Sequence, residues 1–180
     1  MKLNSFTERF ARLVYERRKT DIVPFSAVSR DIHPCLVFMP AKLETMKPAA
    51  EILPEIASAF PNRSLKIILT ASVDPQSHEF IKKFVVIRAE QSDFDTFSLP
   101  KKQFIEKVAF GGAGVSIDLD LHQNLFNAVL GMKSGATIRT AFDKGIGLPY
   151  YNLIIGSPVP EAAPRDLYKM MADILRNFRS

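Results

Sequence analysis

Short, mostly apolar runs alternate along this chain with longer segments whose apolar residues recur every three or four positions. Cys35 to Met39 is apolar throughout, the pattern of a central parallel strand covered on both faces, and Pro40 ends it. Leu65 to Thr70, Phe84 to Arg88, Val115 to Leu121 and Ile138 to Phe142 read as further strands, and Tyr150 to Ile155 as a short sixth strand at an edge. Between them lie helical patterns. Pro48 to Phe60 carries a stripe of Ile52, Leu53, Ile56 and Phe60, with Pro48 suited to the first turn and Pro54 expected to kink the helix. Asp74 to Lys83 reads as a turn and a short helix, and Gln91 to Pro100 as a loop. Lys101 to Phe110 is a helix stopped by Gly111 and Gly112. His122 to Lys133 is the next helix. After a loop at Gly156 to Ala163, Pro164 opens the last one, whose Leu167, Met170, Met171, Ile174, Leu175 and Phe178 form the cleanest amphipathic stripe in the chain.

Strands that alternate with helices predict an α/β domain with a mostly parallel sheet, right-handed crossovers and helices on both faces. The expected strand order is Rossmann-like, 3-2-1-4-5, with the sixth strand at the edge. The domain is expected to occupy residues 35–180, preceded by a segment at 1–34. In that segment Leu3, Phe6, Phe10, Leu13 and Val14 recur at helical spacing, which predicts a basic amphipathic helix from Ser5 to Lys19, and Thr20 to Pro34 reads as a polar connector. Two readings of the helix stand: its aromatic stripe docks on the domain, or residues 1–19 lie on an anionic membrane surface.

Composition narrows the classes. With 47% hydrophobic and 24% charged residues the sequence reads as a globular protein, and no run reaches the roughly 18 apolar residues of a membrane span. Glu8, Arg9 and Arg12 break up any signal-peptide core, so a cytoplasmic location is expected, with contact at the inner membrane if residues 1–19 bind lipid. The first twenty residues hold six basic and two acidic side chains, so +4 of the net +5 sits there and the rest of the chain is nearly neutral. A nucleic-acid binder carries its basic surface on the folded body, so nucleic acid is not expected as the partner. The single cysteine, Cys35, lies in an apolar run and reads as a small core residue.

In an open α/β sheet, ligands sit beyond the carboxyl ends of the strands where the strand order reverses. Two segments fall there: Pro40-Ala41-Lys42-Leu43-Glu44-Thr45 after the first strand, and Asp118-Leu119-Asp120-Leu121-His122 at the end of the fourth. Strand alternation puts Asp118, Asp120 and His122 on one face. Such a set can hold a divalent cation or pair an acid with a base, and Asp120 can equally serve as the N-cap of the next helix. No metal and no cofactor is expected. Gly111-Gly112-Ala113-Gly114 precedes a strand, whereas a phosphate-binding loop follows one.

The strongest local pattern is Asp120-Leu121-His122, Asn124, Ser134-Gly135-Ala136, Arg139 and Phe142, followed by Tyr151-Asn152-Leu153. It resembles the family-9 glycosyltransferases, the lipopolysaccharide heptosyltransferase family. Lys47-Pro48-Ala49 and Ala59-Phe60-Pro61 resemble that family's first helix and its end, so the likeness runs over most of Leu36 to Phe178. The resemblance implies the N-terminal, acceptor-side domain of a GT-B enzyme. In the family a C-terminal domain binds the nucleotide-sugar, and this sequence stops at Ser180. It also implies that an acid in the first loop is the base for the acceptor hydroxyl. The family's Gly-Asp pair is replaced here by a shorter loop without the glycine, in which Glu44 stands for the aspartate. Lys42, Asp118, Asp120, His122, Asn124 and Arg139 are the expected ligand-binding residues.

Three functions follow as expectations. The first is an acceptor-side domain, not catalytic alone, that binds a sugar-lipid or a partner protein in envelope polysaccharide chemistry. The second is half of a split glycosyltransferase whose nucleotide-sugar domain is a separate chain. The third is an unrelated small Rossmann-like enzyme or nucleotide binder.

Overall fold

The computed structural model describes residues 34–60, 64–70, 79–157 and 162–177. The basic helix expected at Ser5 to Lys19 and the connector behind it lie outside these residues. The strands are β1 (Cys35–Phe38), β2 (Leu65–Leu69), β3 (Val85–Arg88), β4 (Val115–Asp118), β5 (Ile138–Phe142) and β6 (Leu153–Ile155). They form one sheet in the order β3-β2-β1-β4-β5-β6, every neighbouring pair parallel. The expected Rossmann-like order therefore stands, and the edge strand is real. The helices are α1 (Leu43–Glu51), α2 (Leu53–Ala59), α3 (Glu79–Lys82), α4 (Lys102–Ala109), α5 (Leu125–Lys133) and α6 (Pro164–Asn177).

Period-two alternation divides the core between the two sheet faces. Cys35 and Val37 of β1, with Val115 and Ile117 of β4, pack under α1, α2 and α6. Leu36 and Phe38 point the other way, against Phe104 and Val108 of α4 and Phe126 and Leu130 of α5. Both faces of β1 are thus buried, which is why its sequence shows no polar position. Of the α6 stripe, Met171 and Leu175 are buried in the first of these layers beside Tyr168 and Ala172, Leu167, Met170 and Ile174 are half-buried against it, and Phe178 lies outside the described residues; Phe142 meets Tyr168 edge-on with ring centroids 5.7 Å apart.

Several boundaries differ from expectation: α5 begins at Leu125 rather than His122 and β6 at Leu153 rather than Tyr150. The first helix begins at Leu43 rather than Pro48, because the N–H groups of Thr45 and Met46 close on the Lys42 carbonyl and Met46 is drawn into the core. Pro48 therefore sits inside α1. The break comes at Ile52, where Pro54 cannot donate back to Ala50; Ile52 ends α1, and its carbonyl accepts from Glu55 and Ile56 to start α2 with Pro54 in the first turn. The fourth strand stops at Asp118 instead of Leu121, because the Asp118 carboxylate takes the Asp120 N–H at 3.0 Å and turns the backbone out of the ladder.

Two glycines set the packing of α5. A Cβ at Gly131 would come within 3.2 Å of Ser116 Oγ and 3.4 Å of Phe38 Cε2, so the helix lies directly on the sheet there. Gly135 has φ +80° just after the helix, the left-handed conformation that closes a helix end. Ser134 donates to the Gly131 carbonyl at 2.7 Å, and Ala136 is buried beneath the turn. Ser134-Gly135-Ala136 is thus a helix stop followed by a packing residue.

Candidate functional site

At the carboxyl end of the sheet the expected loops meet. β1 and β4 are neighbours in register, Phe38 opposite Asp118. The backbone N–H of Ala41, in the loop after β1, donates to Asp120 Oδ2 at 3.2 Å. Asp120 also accepts from the His122 N–H at 3.0 Å and from Asn124 Nδ2 at 3.1 Å. One buried carboxylate therefore holds the loop after β1 against the turn that leads into α5. The N-cap of α5 is Asn124, whose Oδ1 accepts from the Asn127 N–H at 3.2 Å, and not Asp120. Asp120 fails as the cap because the turn at Asp118 lets the chain run four more residues before the helix begins.

Asp118 is more deeply set. Its Oδ2 receives Lys144 Nζ at 2.7 Å and the Tyr151 hydroxyl at 2.5 Å, and its Oδ1 receives Asn127 Nδ2 at 3.2 Å besides the Asp120 N–H. The side chains of Lys144 and Asp118 are 2% and 1% exposed. Lys144 makes a further bond to the Asp120 carbonyl at 2.9 Å and lies 5.3 Å from the Tyr151 ring centroid. Burial, then the neighbouring Asp118 charge and the hydrogen bond to it, hold the Tyr151 phenol well above the ordinary tyrosine value. This phenol is a donor and not a base at neutral pH.

With four donors already on it, Asp118 has no face left for a divalent cation, and among the described residues no group of three or more His, Cys, Asp or Glu side chains converges on a metal position. The one-face alignment of Asp118, Asp120 and His122 breaks at the third member: once the chain leaves the ladder, His122 is exposed. Lys42 and Glu44 are exposed on the other rim, 3.8 Å apart, with side chains 54% and 74% accessible. Glu44 lies in the first turn of α1, where the helix dipole favours a carboxylate. The site has two levels: a buried frame of Asp118, Lys144, Tyr151, Asn127 and Asp120, and a solvent-facing rim of Lys42, Glu44 and His122.

Arg139 stands apart from both. It lies on the amino half of β5, and its guanidinium donates to the carbonyls of Ala136 at 2.9 Å, Tyr150 at 2.9 Å and Pro149 at 3.2 Å. Burial lowers its pKa from the ordinary arginine value, and the arrangement ties the approach to β6 onto the end of α5. Asn152 completes that tie: its Oδ1 accepts from the Arg139 N–H at 2.8 Å and its Nδ2 donates to Thr137 O at 2.9 Å. In Tyr151-Asn152-Leu153 the first residue thus anchors Asp118, the second clips β6 to β5, and the third packs against the core.

Lys144, Tyr151 and Asn127 were not among the residues expected from the sequence. For Lys144 a signal was present: Asp143-Lys144-Gly145 directly follows β5, and the strand order puts the carboxyl end of β5 beside that of β4. Asn127 has no such mark, since an asparagine in a helix reads as surface until the strand beneath it is known.

No protein-family model and no curated protein sequence matches the chain. Among solved structures it is similar to a glycosyl transferase family 9 protein from Veillonella parvula DSM 2008, with a TM-score of 0.53 and 14% identity over 82% of this chain and 42% of that one. It also aligns with the glycosyltransferase GlyE of Streptococcus pneumoniae TIGR4 at 16% identity, over 95% of this chain and 36% of that one, but with a TM-score of 0.42 the likeness is too loose to bear weight. The chain spans less than half the length of either. What the first of these likenesses shows is the fold, a Rossmann-like α/β layer with a six-stranded parallel sheet like that of a glycosyltransferase.

Proposed function

We propose that this chain is a glycosyltransferase-like acceptor-side domain that binds a sugar at the carboxyl end of its sheet and does not complete glycosyl transfer by itself. The observation that carries this reading is the Asp120 carboxylate, which joins the loop after β1 to the loop after β4 and so fixes the rim on which Lys42, Glu44 and His122 stand. A hydroxylated ligand suits that rim: an exposed carboxylate accepts hydroxyl hydrogen bonds, and the lysine and imidazole donate or accept beside it. Glu44 is the group placed to take a proton from an acceptor hydroxyl. Transfer needs a donor held opposite, and the rim of Lys42, Glu44 and His122 offers the acceptor side of that geometry. The sugar-lipid acceptor, the lipopolysaccharide setting and the cytoplasmic location belong to the same proposal.

A split enzyme completed by another chain would leave an apolar face open for it. The described part of the α6 stripe, the expected place for that face, packs against α1 and α2, which counts against a split enzyme. The test is ligand-detected NMR of the full chain with a panel of neutral and phosphorylated sugars, nucleotides and nucleotide-sugars. The expected result is contact with sugars that weakens at least fivefold in Glu44→Gln and Lys42→Met, with no response to nucleotides. Binding of nucleotides that disappears in Asp120→Ala would instead establish the small nucleotide-binder reading.

A further inference from the structure

The loop after β3, residues 89–101, stands at the carboxyl end of the parallel sheet with the loops after β1 and β4. Its tip is closed on itself. Phe94 and Pro100 face each other in an antiparallel bridge, and the Asp95 N–H donates to the Leu99 carbonyl at 2.9 Å. The Asp95 carboxylate accepts from the N–H groups of Phe97 at 2.8 Å and of Leu99 at 2.9 Å. Ser98 takes φ +60°, a conformation side chains rarely adopt, and its N–H donates back to the Asp95 carbonyl at 3.0 Å. The apolar residues of this loop divide between two tasks. Phe94 lies 4.4 Å from Phe126, centroid to centroid, and Leu99 is buried in one cluster with Leu125, Ile146 and Tyr151. Phe97, between them, is 43% exposed. The two anchors fix where its ring stands. Leu125 and Phe126 open α5 directly after Asn124, which donates to Asp120, and Tyr151 donates to Asp118. The tip is therefore held beside the turn that carries His122, on the α5 side of the strand ends, with Lys42 and Glu44 on the α1 side.

We infer that Phe97 is a stacking platform for the sugar at this rim. This role rests on the sugar reading and narrows its substrate to a closed pyranose ring that turns a face of C–H groups to the protein. Such a ring has hydroxyls around its edge and C–H groups on its faces. Lys42, Glu44 and His122 can meet the edge, but none of them suits the face. An aromatic ring does, because its negative π surface attracts polarised C–H groups and both surfaces leave water together. The closed tip also suits the task, since a ring whose backbone is already pinned by Asp95 gives up little freedom when the sugar arrives. A nucleobase can stack on the same ring, but a nucleotide brings phosphates, and the rim offers them one lysine that already lies 3.8 Å from Glu44.

The test uses the full chain, which contains no tryptophan, so that Phe97→Trp is a single reporter at the tip. With the pyranoside that contacts the unmodified chain most strongly in the sugar panel, its emission is expected to shift to the blue; with sorbitol, an open-chain polyol, it is expected to stay where it is. Phe97→Leu keeps an apolar side chain and removes the π surface. It is expected to bind the same pyranoside about fivefold more weakly, with saturation transfer lost from the ring C–H protons and urea unfolding unchanged. Glu44→Gln separates the platform from the site itself. Sugar contact that weakens in Glu44→Gln but stays within about twofold of the parent in Phe97→Leu would overturn the platform and leave the sugar site standing. A parent chain that contacts no pyranoside, together with an unmoved Phe97→Trp emission, would overturn both. An emission shift with nucleotides and not with sugars would overturn the platform in favour of a base-stacking site.

Discussion

Replacing Lys144 by methionine tests the buried frame directly. The ammonium and the Asp118 carboxylate are 2.7 Å apart and almost wholly shielded from solvent. At an effective dielectric of about 20, two unit charges at that distance attract by about 6 kcal/mol. Most of this offsets the hydration both ions give up, so the pair as a whole is worth much less. The asymmetry appears when one ion is removed. Lys144→Met strands a buried carboxylate, a loss of about 3–5 kcal/mol, and the lower end applies here because Tyr151, Asn127 and the Asp120 N–H still donate to it. Asp118→Asn strands the lysine and costs a similar amount. The double variant leaves a neutral amide beside a thioether and is expected to lose only about 1–2 kcal/mol. Urea unfolding followed by circular dichroism reads all three against the unmodified chain. The coupling between the two positions should reach at least about 2 kcal/mol, with the slope of the transition unchanged. Strict additivity of the two single losses, or a Lys144→Met variant within about 1 kcal/mol of the parent, would refute the claim that this pair holds the carboxyl end of the sheet together.

Arg139→Ala is expected to lower stability by about 2–3 kcal/mol in the same assay, because three main-chain carbonyls lose a charged donor; a variant of unchanged stability but weakened sugar contact would assign Arg139 to the ligand instead. Gly135→Ala should cost about 1–2 kcal/mol, since a side chain must adopt φ +80° even though nothing crowds it, and thermal unfolding measures this. In alkali, stability should fall from about pH 10 upward. Tyr151 and Tyr168 stay protonated in the folded chain while their unfolded counterparts ionise, so the unfolded state binds fewer protons and each such phenol steepens the loss by about 1.4 kcal/mol per pH unit. Ultraviolet titration that shows all described tyrosines ionising near pH 10 before unfolding would contradict this.

The sheet was legible because parallel strands buried on both faces leave short apolar runs; Cys35–Phe38 is such a run, and Leu65–Leu69 departs from it only at Lys66. The start of α1 was not, because the preference of proline for a first turn gave way to the burial of Met46, which depends on a core the sequence does not display. At the site, alternation drew attention to Asp118 and Asp120 together but could not show that one would be sealed in and the other shared among loops. That difference is made by Lys144 and Tyr151, which arrive from the far side of β5. An ion pair 26 residues apart along the chain leaves no periodic trace.

Asp120 has a mechanical consequence. Because the same carboxylate grips Ala41, His122 and Asn124, the two lips of the crevice cannot part or slide independently. On the proposed reading, a sugar at this end of the domain meets two loops already joined, and is chosen by how it fits them rather than by prying them apart.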